Sequence, residues 1–282
     1  MGGGGQLASD LQSVLDGQAR SYGHSQVDVC DQAAVDRAYD EVTPDVVFNC
    51  AAFHNVDVCE SEPEQAWRVN VEAVRQLARR GVPLVHISTN YVFDGRREEP
   101  YSEDDVPHPR SVYALTKLAG EYAALAYGVG SLVVRTAGLY GMSGSASKGG
   151  NFVQRMVTRA RETGSLRMVS DQRLQPTFTA DLAQAVVSAV EQGASGVVHL
   201  TATGACSWFE FTEAIMELAG VNVSLEPVQT TVPEGGADRP LNGVLARDRA
   251  DALSLPALRG WRPALSDYMN KAGLAAASAQ GA

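Results

Sequence analysis

Short apolar runs alternating with longer amphipathic stretches constrain this chain most. Residues 45–52, 83–88, 131–136 and 196–201 are apolar at successive positions, so neither face of such a strand can be turned to water. Between them, 60–80, 110–127 and 178–192 read as helices, and helix 149–163 and strand 166–170 continue the alternation. Buried strands separated by helices predict an α/β fold, a doubly wound, mostly parallel, Rossmann-like sheet covered on both faces. After about residue 203 the pattern loosens into helix 207–219, strand 224–228 and a Pro- and Gly-rich loop, 230–242. This predicts a smaller C-terminal substrate-binding lobe. Residues 1–137 are expected to form the nucleotide-binding domain, with 164–203 completing its sheet. Residues 138–163 and 204–271 form the lobe, and 272–282 a disordered tail.

Gly2, Gly5 and Ala8 fit a Gly-x-x-Gly-x-x-Gly/Ala spacing that runs into a helix-like stretch, 9–15. Glycines there permit a tight turn and a close approach of backbone to a pyrophosphate, which the following helix N-terminus attracts. Such a turn is normally fed by an apolar strand, and only Met1 precedes it. The first strand is thus expected to be missing from the sheet, with its slot beside 45–52 empty or filled by something else, and an in-frame apolar strand is expected upstream. The second strand reads weakly, at 19–23. No acid ends it to grip a ribose 2′-hydroxyl; His24, Ser25 and Arg20 lie there instead, favouring NADPH, with NADH possible.

Tyr113 and Lys117, four residues apart on one predicted helix, share a face. A phenol is a weak acid at neutral pH, and a nearby ammonium favours the phenolate, which lets Tyr113 exchange a proton with a carbinol oxygen. Thr89, at the end of strand 83–88, can hold the same oxygen. These three are the candidate catalytic set.

With 33 acidic and 23 basic residues the net charge is −10, which argues against nucleic-acid or acidic-membrane partners. No run reaches the ~18–20 apolar residues of a membrane span, and no secretory signal is evident. Cys30, Cys50, Cys59 and Cys206 lack metal-ligand spacing and read as reduced thiols of a cytoplasmic protein; no metal site is expected. His86 reads as a core histidine and His54 as a pocket or loop residue. Glu60, Glu62 and Glu64 read as a solvated first helical turn, and Glu103, Asp104 and Asp105 as solvated loop acids.

Longer motifs resemble a family. Gly-Gly-Gln-Leu at 4–7, Asn-Cys-Ala-Ala at 49–52, Val-Asp-Val-Cys-Glu-Ser-Glu-Pro-Glu-Gln-Ala-Trp at 56–67 and Val69-Asn70 carry the likeness. So do Ser-Thr-Asn-Tyr-Val-Phe-Asp-Gly at 88–95, Val-Tyr-Ala-Leu-Thr-Lys-Leu-Ala-Gly-Glu at 112–121, Gly-Asn-Phe-Val at 150–153, Ser-Asp-Gln at 170–172 with Pro176-Thr177, and Arg-Pro-Leu-Asn at 239–242. The chain resembles the extended short-chain dehydrogenases/reductases, and more narrowly the dTDP-4-dehydrorhamnose reductase-like branch.

The resemblance implies reduction of a 4-keto group on a nucleotide-linked 6-deoxyhexose in a cytoplasmic protein, a possible homodimer. Thr89, Tyr113 and Lys117 would be catalytic, with Lys117 also binding the nicotinamide ribose. Gly2, Gly5, Gln6 and Leu7 would hold the pyrophosphate, Asp28 and Val29 the adenine side, and Ala51, Ala52 and Phe53 a backbone wall. Asn90, Tyr91, Asn151, Phe152 and Arg239 would meet the substrate, Arg239 at its diphosphate through a forked guanidinium; the bland alternative pairs Arg239 with Asp238 or Glu234. The chain departs from the family pattern with Asn90 for aspartate, His54 for threonine, Gly243 for serine and Gly138 for an aromatic wall. The same family also includes a non-catalytic regulatory subunit of methionine adenosyltransferase. The catalytic set favours the enzyme; the missing strand and Gly138 keep the regulatory reading open.

Overall fold

The computed structural model describes residues 1–143 and 150–276; Gly149 of the expected helix and 277–282 of the expected tail lie outside the described residues. In chain order come α1 (Gln6–Val14), α2 (Gln32–Val42), β1 (Val47–Asn49), α3 (Val56–Ser61), α4 (Pro63–Trp67), α5 (Ala73–Ala78), β2 (Leu84–Thr89), α6 (Val112–Tyr127), β3 (Leu132–Thr136) and β4 (Leu139–Tyr140). Then follow α7 (Phe152–Thr163), β5 (Ser165–Val169), β6 (Arg173–Leu174), β7 (Thr177–Phe178), α8 (Thr179–Glu191), β8 (Gly196–His199), β9 (Cys206–Ser207), α9 (Trp208–Ala219), β10 (Ser224–Val228), α10 (Asp248–Ala252) and α11 (Trp261–Lys271).

The main sheet has the order β1-β2-β3-β8, all parallel. Successive residues of β3 serve opposite faces. Val133 packs with Val35, Leu77 and Leu84, and Val134 with Leu11, Val186 and Leu200. Two-sided burial explains why these strands read as continuous apolar runs rather than alternating ones.

Beside β1 the sheet continues through residues 1–3 alone. The Met1 amine donates to Phe48 O (2.7 Å), Cys50 N donates to Met1 O (3.1 Å), and Gly3 N donates to Tyr22 O (2.8 Å). These rungs fill the C-terminal end of the slot expected to be empty or filled by something else. The expected strand at 19–23 takes that single rung and forms no regular strand.

The helix expected over 60–80 is divided. Glu62, ahead of Pro63, sits at φ −126°, ψ 56°, because a residue before proline is pushed out of the helical region. From Pro63 to Ala78 the helix is continuous but carries a π turn, Arg68–Glu72, between α4 and α5.

The second lobe differs from expectation at its boundary. β5 pairs in parallel with β10, not with the main sheet, β6 pairs with β9, and β4 with β7. From 164–203, only α8 and β8 therefore serve the main sheet. The lobe's core gathers Tyr140, Val153, Phe178, Phe211, Ile215, Leu265 and Tyr268, with Tyr140 stacked on Phe178 at 5.7 Å. Asn151 opens α7 with a reciprocal capping box to Gln154, and Ser207 opens α9 in the same way with Glu210.

Candidate active site

In a parallel sheet the strand ends share one edge, where open α/β sheets bind ligands. β2 delivers Ser88 and Thr89 there, beside Arg135 and Thr136 of β3. Thr89 Oγ1 accepts from Tyr91 N (3.2 Å), starting a 3-10 turn, Asn90–Val92. α6 begins alongside. Its early donors are met by Ser111 Oγ, which accepts from Ala114 N (3.2 Å), and by Glu60 Oε1, which accepts from Val112 N (2.8 Å). Glu60 is thus a cap for α6 rather than a solvated acid.

Tyr113, in the first turn of α6, meets Tyr91 edge-to-face at 5.8 Å. Burial pushes its phenol well above the ordinary tyrosine range, and the hydrogen-bonded Thr89 hydroxyl pulls it back. The expected lowering by Lys117 is absent, because Lys117 is turned towards β2. Its Nζ donates to Ile87 O (2.7 Å) and lies 3.2 Å from His86 Nε2. Lys117 is 2% exposed. Burial lowers its pKa to about 8, against the opposing effects of Glu121 and Cys50. Burial and Lys117 keep His86 neutral, far below the ordinary histidine range.

One turn beyond Lys117, Glu121 accepts from Ser88 Oγ and from Arg135 (Nη2 to Oε2 2.7 Å), an ion pair with both partners buried. Arg135 also lies over the Phe93 ring at 5.1 Å and within 3.5 Å of His199 Nε2. Gly120 sets how closely α6 approaches: a β-carbon there would collide with Asn70 O and stand 3.3 Å from His86 Nε2.

The glycine turn closes the site from the other side. Gly2 has φ +79°, and a β-carbon on it would lie 2.6 Å from Ala51 N. Around Gly4 such a carbon would meet nothing within 4 Å, so that side of the turn is open. α1 starts from Gly5 without a side-chain cap or a first-turn acid, leaving its first N–H groups for an anion. Gln6 Oε1 is buried without a hydrogen-bond partner. The Leu7 side chain belongs to the core, so only its backbone can serve a ligand. Ala51 N donates to Asn49 Oδ1 (3.2 Å), and Asn70, in the π turn, clamps Phe53 by accepting from its N (2.9 Å) and donating to its O (3.0 Å). A glycine-only turn, an uncapped helix start and a fixed backbone wall at 51–53 fit a dinucleotide.

Among the remaining expected residues, Asp28 Oδ1 accepts from Cys30 N (2.9 Å) and Val29 is buried, in the loop that follows Gly23. Arg20 is paired with Glu41 (3.5 Å). Asn90 is buried and donates to Gly243 O (2.9 Å). The Asn151 side chain is engaged by Gln154 N, Gly141 O (2.7 Å) and the Tyr268 hydroxyl (2.6 Å), and Phe152 packs on Trp208 at 4.5 Å. Both are built into the second lobe.

Arg239 donates to Asp57 Oδ2 (2.7 Å), not to Asp238 or Glu234, and its guanidinium hydrogen-bonds Tyr91. Tyr91 thus joins Arg239 to Tyr113. Gly138, at φ +57°, is overlain by Leu174 and Pro176, so the space of the absent aromatic wall is packed from elsewhere. Glu103 is not solvated: its side chain accepts from His199 N (2.9 Å) and is 6% exposed. Asp105 is paired with Arg97.

Sequence reasoning gave no role to Asn49, Asn70 or Glu121, and assigned His86 only to the core. Their signal is polar residues inside otherwise apolar strand and helix runs. No cluster of three or more metal-ligating side chains occurs among the described residues. No helix among them is long and apolar enough to cross a membrane.

A parallel sheet with a glycine-only turn at its ligand edge, and a Tyr–Lys helix face beside it, defines a dinucleotide-dependent reductase of the short-chain dehydrogenase type. The family model described as RmlD substrate binding domain matches residues 1–273, and the chain belongs to that family. It is 38% identical over 280 residues to dTDP-4-dehydrorhamnose reductase of Streptomyces griseus, covering 94% of this chain and 90% of the relative. It is 35% identical to the spore coat polysaccharide biosynthesis protein SpsK of Bacillus subtilis, covering 96% and 95%. The crystal structure of dTDP-4-dehydrorhamnose reductase from Bacillus anthracis in complex with NADP superposes with a TM-score of 0.88 at 31% identity, covering 96% of this chain and 97% of that one.

Proposed function

We propose that this chain reduces the 4-keto group of a nucleotide-linked 6-deoxyhexose with NADPH, as its reductase relatives are named to do with dTDP-sugars. The observation that carries this reading is the convergence of Thr89, Tyr113 and Lys117 on the edge that also holds the glycine-only turn. A nicotinamide held there would supply the hydride to sugar C4. Tyr113 gives its phenolic proton to the oxygen that becomes the alcohol, which balances the hydride. Thr89 donates a hydrogen bond to the same oxygen. Lys117 holds the nicotinamide ribose and offers positive charge to the phenolate that Tyr113 leaves.

Gly2 and Gly5 let the backbone approach the pyrophosphate and the N–H groups of Gln6 and Leu7 serve it, Asp28 and Val29 serve the adenine side, and Ala51, Ala52 and Phe53 the wall. Tyr91 and Arg239 face the substrate, with Asn90 fixing the loop above them; Asn151 and Phe152 shape the lobe beneath. Four free cysteines among the described residues agree with a reducing cytoplasm. Exposed Leu115 and Tyr122 on α6 and exposed Trp67 on α4 agree with a homodimer.

The test is Tyr113→Phe. Turnover on a dTDP-4-keto-6-deoxyhexose should fall by at least ~100-fold while NADPH still quenches protein fluorescence, since general acid catalysis is worth roughly 10²–10⁴-fold. Wild-type turnover in the variant would remove Tyr113 from this role. NADPH binding without turnover in the wild type would favour a regulatory subunit.

A further inference from the structure

Lys117 faces a histidine whose tautomer the structure determines. Asn49 Oδ1 accepts from Ala51 N (3.2 Å), which orients the carboxamide, so Asn49 Nδ2 points at His86 Nδ1 (3.2 Å). Nδ2 has only hydrogens to offer, so Nδ1 is the acceptor. A neutral imidazole carries one N–H, which then sits on Nε2 and points at Lys117 Nζ, 3.2 Å away.

An ammonium there would set N–H against N–H. A neutral amine accepts from His86 Nε2–H and still donates to Ile87 O. We propose that Asn49 and His86 are positioning residues that favour the neutral amine of Lys117 over its ammonium until the cleft is filled. Asn49, at the end of β1, and His86, on β2, are paired in register. Together they link the backbone wall at Ala51 to the charge on α6.

The other groups around Lys117 are accounted for. Glu121 favours the ammonium, but its carboxylate is already engaged by Arg135 and Ser88. Cys50 also favours it, but its own thiol is pushed up by burial. Tyr113, one turn away on α6, is neutral. Beside the imidazole α6 presents Gly120, which adds no side chain to the contact. The inference rests on Lys117 lying in the reductase site, but its test needs neither substrate nor turnover.

The chain has three lysines, Lys117, Lys148 and Lys271, and five histidines. Side-chain NMR of the full-length apoprotein therefore resolves both partners, with Lys117 assigned by its loss in Lys117→Met. The expected result is His86 neutral with its proton on Nε2 throughout, and Lys117 titrating near 8. In Asn49→Asp the carboxylate accepts from Nδ1–H and drives the tautomer over. The Lys117 midpoint should then rise by about one to two pH units. Adding His86→Leu should remove most of that rise, which separates the tautomer effect from the new charge. A proton on His86 Nδ1 in the wild type overturns the proposal, as does a Lys117 midpoint that Asn49→Asp leaves in place. The wild-type tautomer decides the question even if a variant fails to fold.

Discussion

The carboxamide of Asn90 donates to the carbonyl of Gly243 from within the volume that a β-carbon at 243 would occupy. Two departures from the family pattern, asparagine for aspartate and glycine for serine, are thereby one arrangement. An aspartate at 90 cannot donate to that carbonyl, and a serine at 243 cannot fit beside the amide. Gly243→Ser and Asn90→Asp should each destabilise the chain by about 1–3 kcal/mol, while the double variant should cost clearly less than their sum. A urea double-mutant cycle measures this; strict additivity would refute the coupling.

Arg239 bridges the second lobe to Asp57 on α3 and touches Tyr91. Arg239→Ala should raise KM for the nucleotide sugar by well over roughly tenfold with a smaller change in kcat, the pattern of lost ground-state binding. Asp57→Asn, which frees the guanidinium from its carboxylate, should leave KM unchanged or lower. Steady-state kinetics separates these outcomes, and an unchanged KM in Arg239→Ala would make the Asp57 contact purely structural.

Glu121 and Arg135 are paired out of contact with water. Glu121→Ala leaves a buried guanidinium without its counter-charge and should cost about 3–5 kcal/mol in chemical denaturation. Glu121→Leu with Arg135→Met should recover a large part of that loss. A cost below about 1 kcal/mol for the single change would show that the pair is better solvated than its geometry indicates.

Burial and the adjacent Arg135 guanidinium lower His199 from its ordinary 6.5 to about 3. The unfolded chain thus binds a proton below pH 6.5 that the folded chain refuses until about 3. This contribution to stability is complete above 6.5 and is lost as pH falls towards 3, at about 1.4 kcal/mol per pH unit. His86 is shifted in the same direction. Between pH 7 and 5, His199→Gln should flatten the decline in unfolding free energy by about 2 kcal/mol in all; parallel wild-type and variant curves would contradict it.

What could be read from the residues alone was whatever is local in the chain. Tyr113 and Lys117 declare a shared face by their spacing, and the apolar runs at 83–88 and 131–136 declare buried strands. The partners of Lys117 were hidden because Asn49 and His86 come from other strands, and the polar atoms that orient them appear only in cross-strand register. The strand read at 166–170 was placed in the main sheet, whereas β5 pairs with β10, for a related reason. An apolar strand carries no mark of its neighbour, and β5 finds β10 nearly sixty residues away. The glycine turn was legible, but the slot beside β1 was not, since its filling depends on backbone groups of Met1 and Gly3 that any residue would possess.

The π turn at Arg68–Glu72 holds one residue more than an α-helical path requires. A single-residue deletion, usually ruinous within a helix because it rotates everything downstream by about 100°, would here relax the widened turn into ordinary winding. Ala73, Val74 and Leu77 would keep their faces towards the core. The lost element would be the protrusion carrying Asn70, and with it the grip on Phe53. This stretch can therefore shorten by one residue and remain folded while losing the definition of the backbone at Phe53, so length variation at 68–72 reports on that wall rather than on stability.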